Sequence, residues 1–370
     1  MTLLVPILAF ALTSGQLIRL PFLGGGVTLL DLTVAVLSVY GLIKLKLKLK
    51  NPPFLKPALC FILIALFSLL LTPLRLTLPE YLVSFSYIAR LFLYVLFGWV
   101  VYSGSFLDTR KAFLLSGMSF AVLGLLQFAF FPDLYFLKLA GWDPHYFRTV
   151  STFLDPNFAG AFLVLTMILS FKEKNKKISI FIFALLYIAL FTTFSRSSYL
   201  MFLVSGLTFF FLNKSKKYLL LTLVLFAFLL FGFQIYSKLV AAPRNINREQ
   251  SASFRLNTWQ QGLDLFKKSP VLGIGFNAYR YGIKKYNLGD QQFLDSHGSS
   301  GNDSSLLFVA STTGIIGFLV YLYFLFSLMK SSKIITAAIL GLIVHSFFSN
   351  SLFYPPILAW ILIMSVVPKK

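Results

Sequence analysis

Apolar runs of roughly 15–22 residues recur along the chain, separated by short polar connections. A helix rises 1.5 Å per residue, so runs of this length cross ~30 Å of hydrocarbon. The pattern predicts spans at about 2–14, 27–43, 57–74, 82–102, 113–131, 158–171, 178–194, 198–212, 218–236, 304–328, 334–350 and 355–367. The expected fold class is therefore an all-α polytopic membrane protein with about 12 transmembrane helices, forming a single integral membrane domain over 1–370. One long hydrophilic insert, about 237–303, breaks the pattern, and the connection at about 132–157 is the other substantial one. Within the insert, Phe254, Trp259, Leu263 and Phe266 recur near helical spacing. They predict an amphipathic helix over about 253–268 that lies on the membrane surface or caps the bundle. Ser269-Pro270 ends that helix, and Gly273-Ile274-Gly275 forms a turn before a second short helix carrying Tyr279, Arg280 and Tyr281.

Composition agrees with the pattern. The 370 residues are 58% hydrophobic and only 12% charged, with a mean hydropathy of +0.82, too few charges to cover a soluble domain. A net charge of +21 would suit nucleic acid, but the placement of the charges argues for topology instead. Lys44, Lys46, Lys48, Lys50, Lys56, Arg110, Lys111, Lys172, Lys174, Lys176, Lys177, Lys214, Lys216, Lys217, Lys330, Lys333, Lys369 and Lys370 all fall on one side of the predicted bundle, which makes 18. The short connections on the other side hold five: Arg19, Arg75, Lys138, Arg148 and Arg196. By the positive-inside rule the first side is cytoplasmic, with both termini, and the long insert faces outward. No nucleic-acid partner is expected. Cys60 stands alone in an apolar run, which excludes a disulfide framework and a thiolate metal site. The leading segment lacks a basic region and a small-residue cleavage site, so it reads as a retained first span.

Several polar residues are candidates for chemistry. Arg196 lies in Thr192-Thr193-Phe194-Ser195-Arg196-Ser197-Ser198-Tyr199, a tight connection between two spans. Its planar fork and the first-turn amides of the next helix suit a phosphate, although an interfacial arginine also snorkels to headgroups. Arg255 either belongs to the solvated face of the amphipathic helix or points back over a cavity as a second phosphate ligand. Arg90 and Asp31 are intramembrane charges, for which a structural ion pair and a substrate role both stand open. Asp155, followed by Pro156, is explained by helix capping, with a substrate contact as the sharper reading. Arg280 is a further substrate-contact candidate. His297 and Asp303 are the candidate bases: a histidine titrates near neutrality, and either could take a proton from an acceptor hydroxyl. The plain alternatives are a loop histidine and the N-cap of the next span. Gly273-Ile274-Gly275-Phe276-Asn277-Ala278 is no dinucleotide turn, because no strand precedes it. No His/Glu helix motif, Cys cluster or acidic pair with ligand spacing occurs, so no cofactor and no metal are expected.

Three pieces resemble the O-antigen ligase and polymerase family of bacterial membrane glycosyltransferases. Thr193-Phe194-Ser195-Arg196 with Leu200 resembles its Thr-x-Ser-Arg element. Arg255, Trp259 and Ser269-Pro270-Val271-Leu272-Gly273-Ile274-Gly275 resemble the arginine, helix and Pro-x-x-Gly-x-Gly stretch. Asp303 to Leu307, followed by Gly314-Ile315-Ile316-Gly317, resembles the entry to the next span with its Gly-x-x-Gly. The family-like core covers about 192–317. The resemblance implies a GT-C-like enzyme of the bacterial plasma membrane with an extracytoplasmic active site. It would move a glycan from an undecaprenyl-diphosphate-linked donor to a lipid, glycan or protein acceptor hydroxyl, inverting and without metal. It also implies that Arg196 and Arg255 hold the diphosphate. The family's histidine lies eleven residues before the first glycine of Gly-x-x-Gly; here that position is Asp303, and His297 lies six residues earlier. Either residue could be the base, and ligase and polymerase both stay open. The alternative from another class is a transporter or flippase of lipid-linked saccharides, for which Arg90 and the outer arginines would line a path; no inverted-repeat halves accompany it.

Overall fold

A computed structural model describes residues 3–22, 25–104, 107–140, 142–242, 248–295 and 297–366. Among the described residues fifteen α-helices follow one another: α1 Leu4–Ser14, α2 Leu29–Lys44, α3 Leu55–Leu70, α4 Leu78–Ser103, α5 Thr109–Phe130, α6 Pro156–Ser170, α7 Lys176–Thr193, α8 Arg196–Asn213, α9 Lys216–Tyr236, α10 Arg248–Lys268, α11 Tyr279–Lys285, α12 Gln291–Asp295, α13 Ser305–Met329, α14 Lys333–His345 and α15 Pro355–Met364. Each expected span falls on one of these helices. Among the described residues, five are long and apolar enough to cross a membrane: α4, α5, α7, α9 with its continuation to Ala241, and α13. Five shorter apolar helices, α1, α3, α6, α14 and α15, accompany them.

Polar residues at the boundaries explain where the helices begin. Thr28 with Asp31 and Thr77 with Glu80 form capping boxes at α2 and α4. Asp108, Asp155, Asn175, Ser195, Ser304 and Ser332 cap six others through their side chains. A helix that is apolar all round belongs in the middle of a bundle. α15 meets that description, with every residue from Pro355 to Met364 buried, and α6 is buried along nearly its whole length. α9 lies at the periphery: it buries Thr222, Leu229, Gly232 and Tyr236 while presenting Phe228 and Phe231 outward. An outer surface of this kind is what hydrocarbon solvates and water does not.

The all-α expectation holds, with one short addition: an antiparallel hairpin, β1 Arg19–Phe22 with β2 Gly25–Thr28, joins α1 and α2. The insert's helix, α10, begins at Arg248, earlier than the expected start. α10 buries Thr258, Gly262 and Leu265, whereas Phe254 and Leu263 are exposed. A stripe at 255, 258, 262 and 265 has helical spacing, and its inward side joins Leu265 to small and polar groups.

The insert is locked to the bundle through broken helical geometry. Gly314 interrupts α13 with φ 65° and ψ −169°. The break leaves the carbonyls of Ser311 and Thr312 without their helical partners, and the amides of Ile274 and Gly275 donate to them at 3.0 and 3.1 Å. In return the Ile315 amide donates to Pro270 O at 2.8 Å. Gly273 at φ 73° and Gly314 at φ 65° both face backbone so closely that a Cβ would clash. The two glycine motifs seen separately in the sequence are thus two halves of one contact. Ser68 and Thr72 donate to Thr312 O and Ile274 O and tie the contact to α3.

Arg90 and Asp31 resolve as a structural pair. The guanidinium lies 3.2 Å from Asp31 Oδ1, donates to Gly26 O, and stacks over Tyr87. Tyr94 donates to the same carboxylate at 3.0 Å. The pair joins α4 to α2 and holds the hairpin against them.

Candidate functional site

Four of the connections that would lie on the predicted outer side, those between α5 and α6, α7 and α8, α9 and α13, and α14 and α15, contribute residues to a cavity of about 430 Å³. Arg196, Arg255, Asp303 and Asp155 all line it. All four lie more than forty residues apart along the chain, so the fold and not local sequence brings them together.

Each is placed by a specific local arrangement. Phe194 adopts a left-handed conformation (φ 46°) that ends α7, and Ser195 caps α8 by accepting from the Ser198 amide. Arg196 is then the first residue of α8, exposed to the cavity and set over the Phe233 ring at 5.7 Å. Arg148 braces this turn from the opposite wall: Nε donates to Thr193 O at 2.8 Å and Nη2 to Phe194 O at 3.3 Å. Beneath it, Asn157 Oδ1 accepts from Ser195 Oγ at 2.7 Å and from Ser197 Oγ at 3.3 Å. His345 stands behind Ser197 and Ser198, with Nε2 at 3.3 and 3.4 Å from their hydroxyls and Nδ1 at 3.1 Å from Ser351 Oγ. A buried polar network therefore fixes the helix start that carries Arg196.

Arg255 shares the inward stripe of α10 with Thr258, so the reading in which it is only a solvated-face residue fails. Trp259 holds the helix down by donating to Phe347 O at 2.9 Å. Asn302 is buried, donates to Thr258 O and to Tyr279 Oη (2.9 Å), and accepts from the Ser304 amide at 2.8 Å. That clamp sets Asp303 beside Thr258, whose Oγ1 donates to Asp303 Oδ2 at 3.2 Å. The cap of α13 is Ser304, which accepts from the Leu307 amide, and not Asp303. The capping explanation of Asp303 thereby falls, and its carboxylate borders the cavity instead.

Desolvation lifts the Asp303 carboxyl above the usual carboxylate range; Arg255 and the Thr258 hydroxyl pull it back, while Asp155 and Asp143 push it up. Asp155 is lifted the same way by burial, against the amides of Phe158 and Asn157 that its Oδ1 accepts as the cap of α6. The capping account of Asp155 holds, and the residue also faces the cavity. Three arginines (148, 196, 255) and three carboxylates (143, 155, 303) thus share one wall set.

Two expected residues lie elsewhere. Arg280, on α11, lines a neighbouring cavity and donates from Nε to Ser299 Oγ at 2.7 Å. His297 opens a short 3₁₀ turn, His297–Ser300, and its side chain lies outside the described residues. Sequence reasoning missed His145, Arg148, Asn157 and His345. Among them only Arg148 carried a signal, as a basic residue on the sparsely charged side. His145 borders the cavity, and burial together with Arg148 pulls it down to about 3, so the ring is neutral at physiological pH. Its Nε2 is buried with no hydrogen-bond partner among the described residues.

The arrangement can bind an anion at arginines and offers a perturbed carboxylate beside them, which is the pairing that acid-base chemistry on a charged substrate needs. The chain also resembles known proteins over this region. A comparison with curated proteins returns no match. The O-antigen ligase family model matches residues 181–322, a stretch that contains Arg196, Arg255, Asp303 and both glycine motifs. Over residues 181–322 this chain of apolar, membrane-length helices is therefore similar to the O-antigen ligase family.

Proposed function

We propose that the chain transfers a glycan from a polyprenyl-diphosphate carrier to an acceptor hydroxyl in the Arg196–Arg255–Asp303 cavity, on the extracytoplasmic face of the bacterial plasma membrane. The observation that carries this reading is the convergence of those three residues, from separate segments, on one cavity at the sparsely basic end of the bundle. Twelve crossings with both termini cytoplasmic are part of the same reading, supported by the distribution of lysines.

In the proposed step the acceptor oxygen attacks the anomeric carbon of the donor sugar. The bond from that carbon to the diphosphate oxygen breaks, and the electron pair leaves with the diphosphate. Arg196 and Arg255 neutralise the charge that develops there, an interaction that is strongest in the transition state and so accelerates the reaction. Asp303 takes the hydroxyl proton. Its raised pKa favours this, because a base nearer the operating pH accepts a proton more readily. A single displacement from the face opposite the leaving group inverts the anomeric centre, and the residues named need no metal for any of these roles. Arg148 acts through the turn it braces.

The test is replacement of Arg196 or Arg255 by Ala in a cell that makes surface glycan, with insertion checked by membrane fractionation. Loss of transferred glycan is expected. Unchanged transfer with properly inserted variants would sink the reading.

A further inference from the structure

The connection between α5 and α6 has two limbs with opposite surroundings. Its returning limb, Asp143 to Arg148, lines the reaction cavity. Its outgoing limb presents large apolar side chains to the outside: Phe131 is 65% exposed, Phe136 58% and Leu139 94%. Backbone bonds tie the limbs together, from the Leu134 amide to His145 O at 3.0 Å and from the Phe147 amide to Pro132 O at 2.6 Å.

The outgoing limb is apolar on both of its edges. It contains a 3₁₀ helix, Tyr135–Ala140, and residues three apart eclipse in that geometry. Leu134 and Leu137 therefore share one edge, buried with Val150 beside Trp142 and Leu154. Phe136 and Leu139 share another and are left uncovered. Water does not favour a second apolar edge of this size on a short connection, so an apolar phase is expected to receive it.

The neighbouring helix identifies that phase. α5 is long and apolar enough to cross a membrane, and Leu115, Val122, Leu126 and Phe130 form an exposed stripe at helical spacing along it. Phe130 stands about 29 Å along the helix from Lys111, close to the thickness of the hydrocarbon. Phe131, Phe136 and Leu139 continue the stripe just past that point. The polar residues among them suit a lipid interface better than a second protein surface. Tyr135 is exposed, and Lys138 lies with Nζ 5.8 Å from the centre of its ring. Tyrosines and snorkelling lysines are what the headgroup level holds.

Resting on the outward orientation and the transfer reaction proposed above, we infer that the 131–139 limb is an interfacial anchor. It is seated in the outer leaflet at the boundary of headgroups and acyl chains, and it fixes the mouth of the reaction cavity at that depth. A polyprenyl diphosphate carries its charge at the same boundary with its chain in the hydrocarbon. Its diphosphate then reaches Arg196 without being drawn out of the leaflet. The bonds between the limbs carry the anchoring to Arg148, which braces the turn preceding Arg196 through Thr193 O and Phe194 O.

The test uses the full chain with Cys60→Ser and Leu139→Cys, labelled with bimane and placed as single copies in phosphatidylcholine discs. Lipid carrying a nitroxide at acyl carbon 5 should quench the label, and iodide should quench it at least threefold less than the free bimane–cysteine adduct. Iodide quenching equal to that of the free adduct would put the limb in water. Failure of the nitroxide lipid to quench would put it under protein, and either result overturns the anchor. In a transfer assay, Phe136→Asp with Leu139→Asp, both at exposed positions, should raise KM for a polyprenyl-diphosphate donor at least fivefold. KM for a donor with a short, water-soluble prenyl chain should stay the same. An unchanged KM for the long-chain donor overturns the depth-setting role. Quenching needs no turnover, so an anchored limb in a parent protein that transfers nothing would refute the transfer reading and leave the anchor standing.

Discussion

Gly314→Ala tests whether the insert is held over the cavity by the broken helix. In the protein, Gly314 has φ 65°, and a Cβ there would lie 2.2 Å from Val271 O and 2.3 Å from Val271 C. Both are backbone atoms, so no side chain can rotate away; the 270–275 turn must move. With ψ −169° the backbone there lies in a region populated almost only by glycine, which costs an alanine about 1–3 kcal/mol. Displacing the turn also breaks the bonds from Ile274 to Ser311, from Gly275 to Thr312 and from Ile315 to Pro270. At about 1 kcal/mol each these add about 3 kcal/mol. A local cost of about 4–6 kcal/mol corresponds to about a thousandfold or more in the opening equilibrium, at 1.4 kcal/mol per factor of ten. Hydrogen–deuterium exchange reads this directly, as lost protection of the Ile274, Gly275 and Ile315 amides with α6 and α15 unaffected. Gly301→Ala is the control, because its Cβ would meet neighbours only at 3.4 Å and beyond. If protection of the three amides in Gly314→Ala stays within tenfold of the parent, the interlock does not hold the insert and the reasoning fails.

Asp303→Asn should lower kcat by about a hundredfold or more, as expected for removal of a general base, and His297→Ala should cost less; equal mild losses in a transfer assay would exclude both. Because Asp303 must be ionised to act, activity falls as pH drops through its pKa; Arg255 holds that pKa down, so Arg255→Gln should move the acid limb of the kcat profile to higher pH. A carboxyl lifted by the fold is favoured protonated there, so its ionised form costs stability above its unfolded pKa. Asp303→Asn should accordingly raise the thermal midpoint at neutral pH and lose that advantage in acid, as measured by scanning fluorimetry. Arg148→Lys should weaken donor binding without touching substrate, because one ammonium cannot span Thr193 O and Phe194 O; unchanged KM for the donor would refute the bracing role.

How much of this was readable from the chain differs by element. The apolar runs mark their helices because lipid and core both demand continuous hydrophobicity, and Asp155-Pro156 or Ser195-Arg196 mark helix starts by local chemistry alone. The hairpin escaped notice because Arg19–Phe22 and Gly25–Thr28 are too short to show alternation, though the run Gly24-Gly25-Gly26 was a turn signal. The inward face of α10 was not legible in hydropathy, because Thr258 and Gly262 are buried for closeness and hydrogen bonding, which hydropathy does not score. Arg196, Arg255 and Asp303 could be nominated by residue type and motif order. Their common cavity, the Arg148 brace and the His345 network depend on contacts between distant segments, which no local pattern encodes. The pairing of Gly273 with Gly314 is the intermediate case: each glycine was visible, but not that one exists for the other.

The most direct test of the central claim is transfer by the purified full chain in vesicles, given an undecaprenyl-diphosphate-linked glycan and an acceptor lipid extract and followed by release of undecaprenyl diphosphate. The parent protein is predicted to release it only with acceptor present, with Arg196→Ala and Arg255→Ala weakened in donor use and Asp303→Asn slowed about a hundredfold or more. Acceptor-dependent release at the parent rate in all three variants would contradict the assignment of this cavity as the site of reaction.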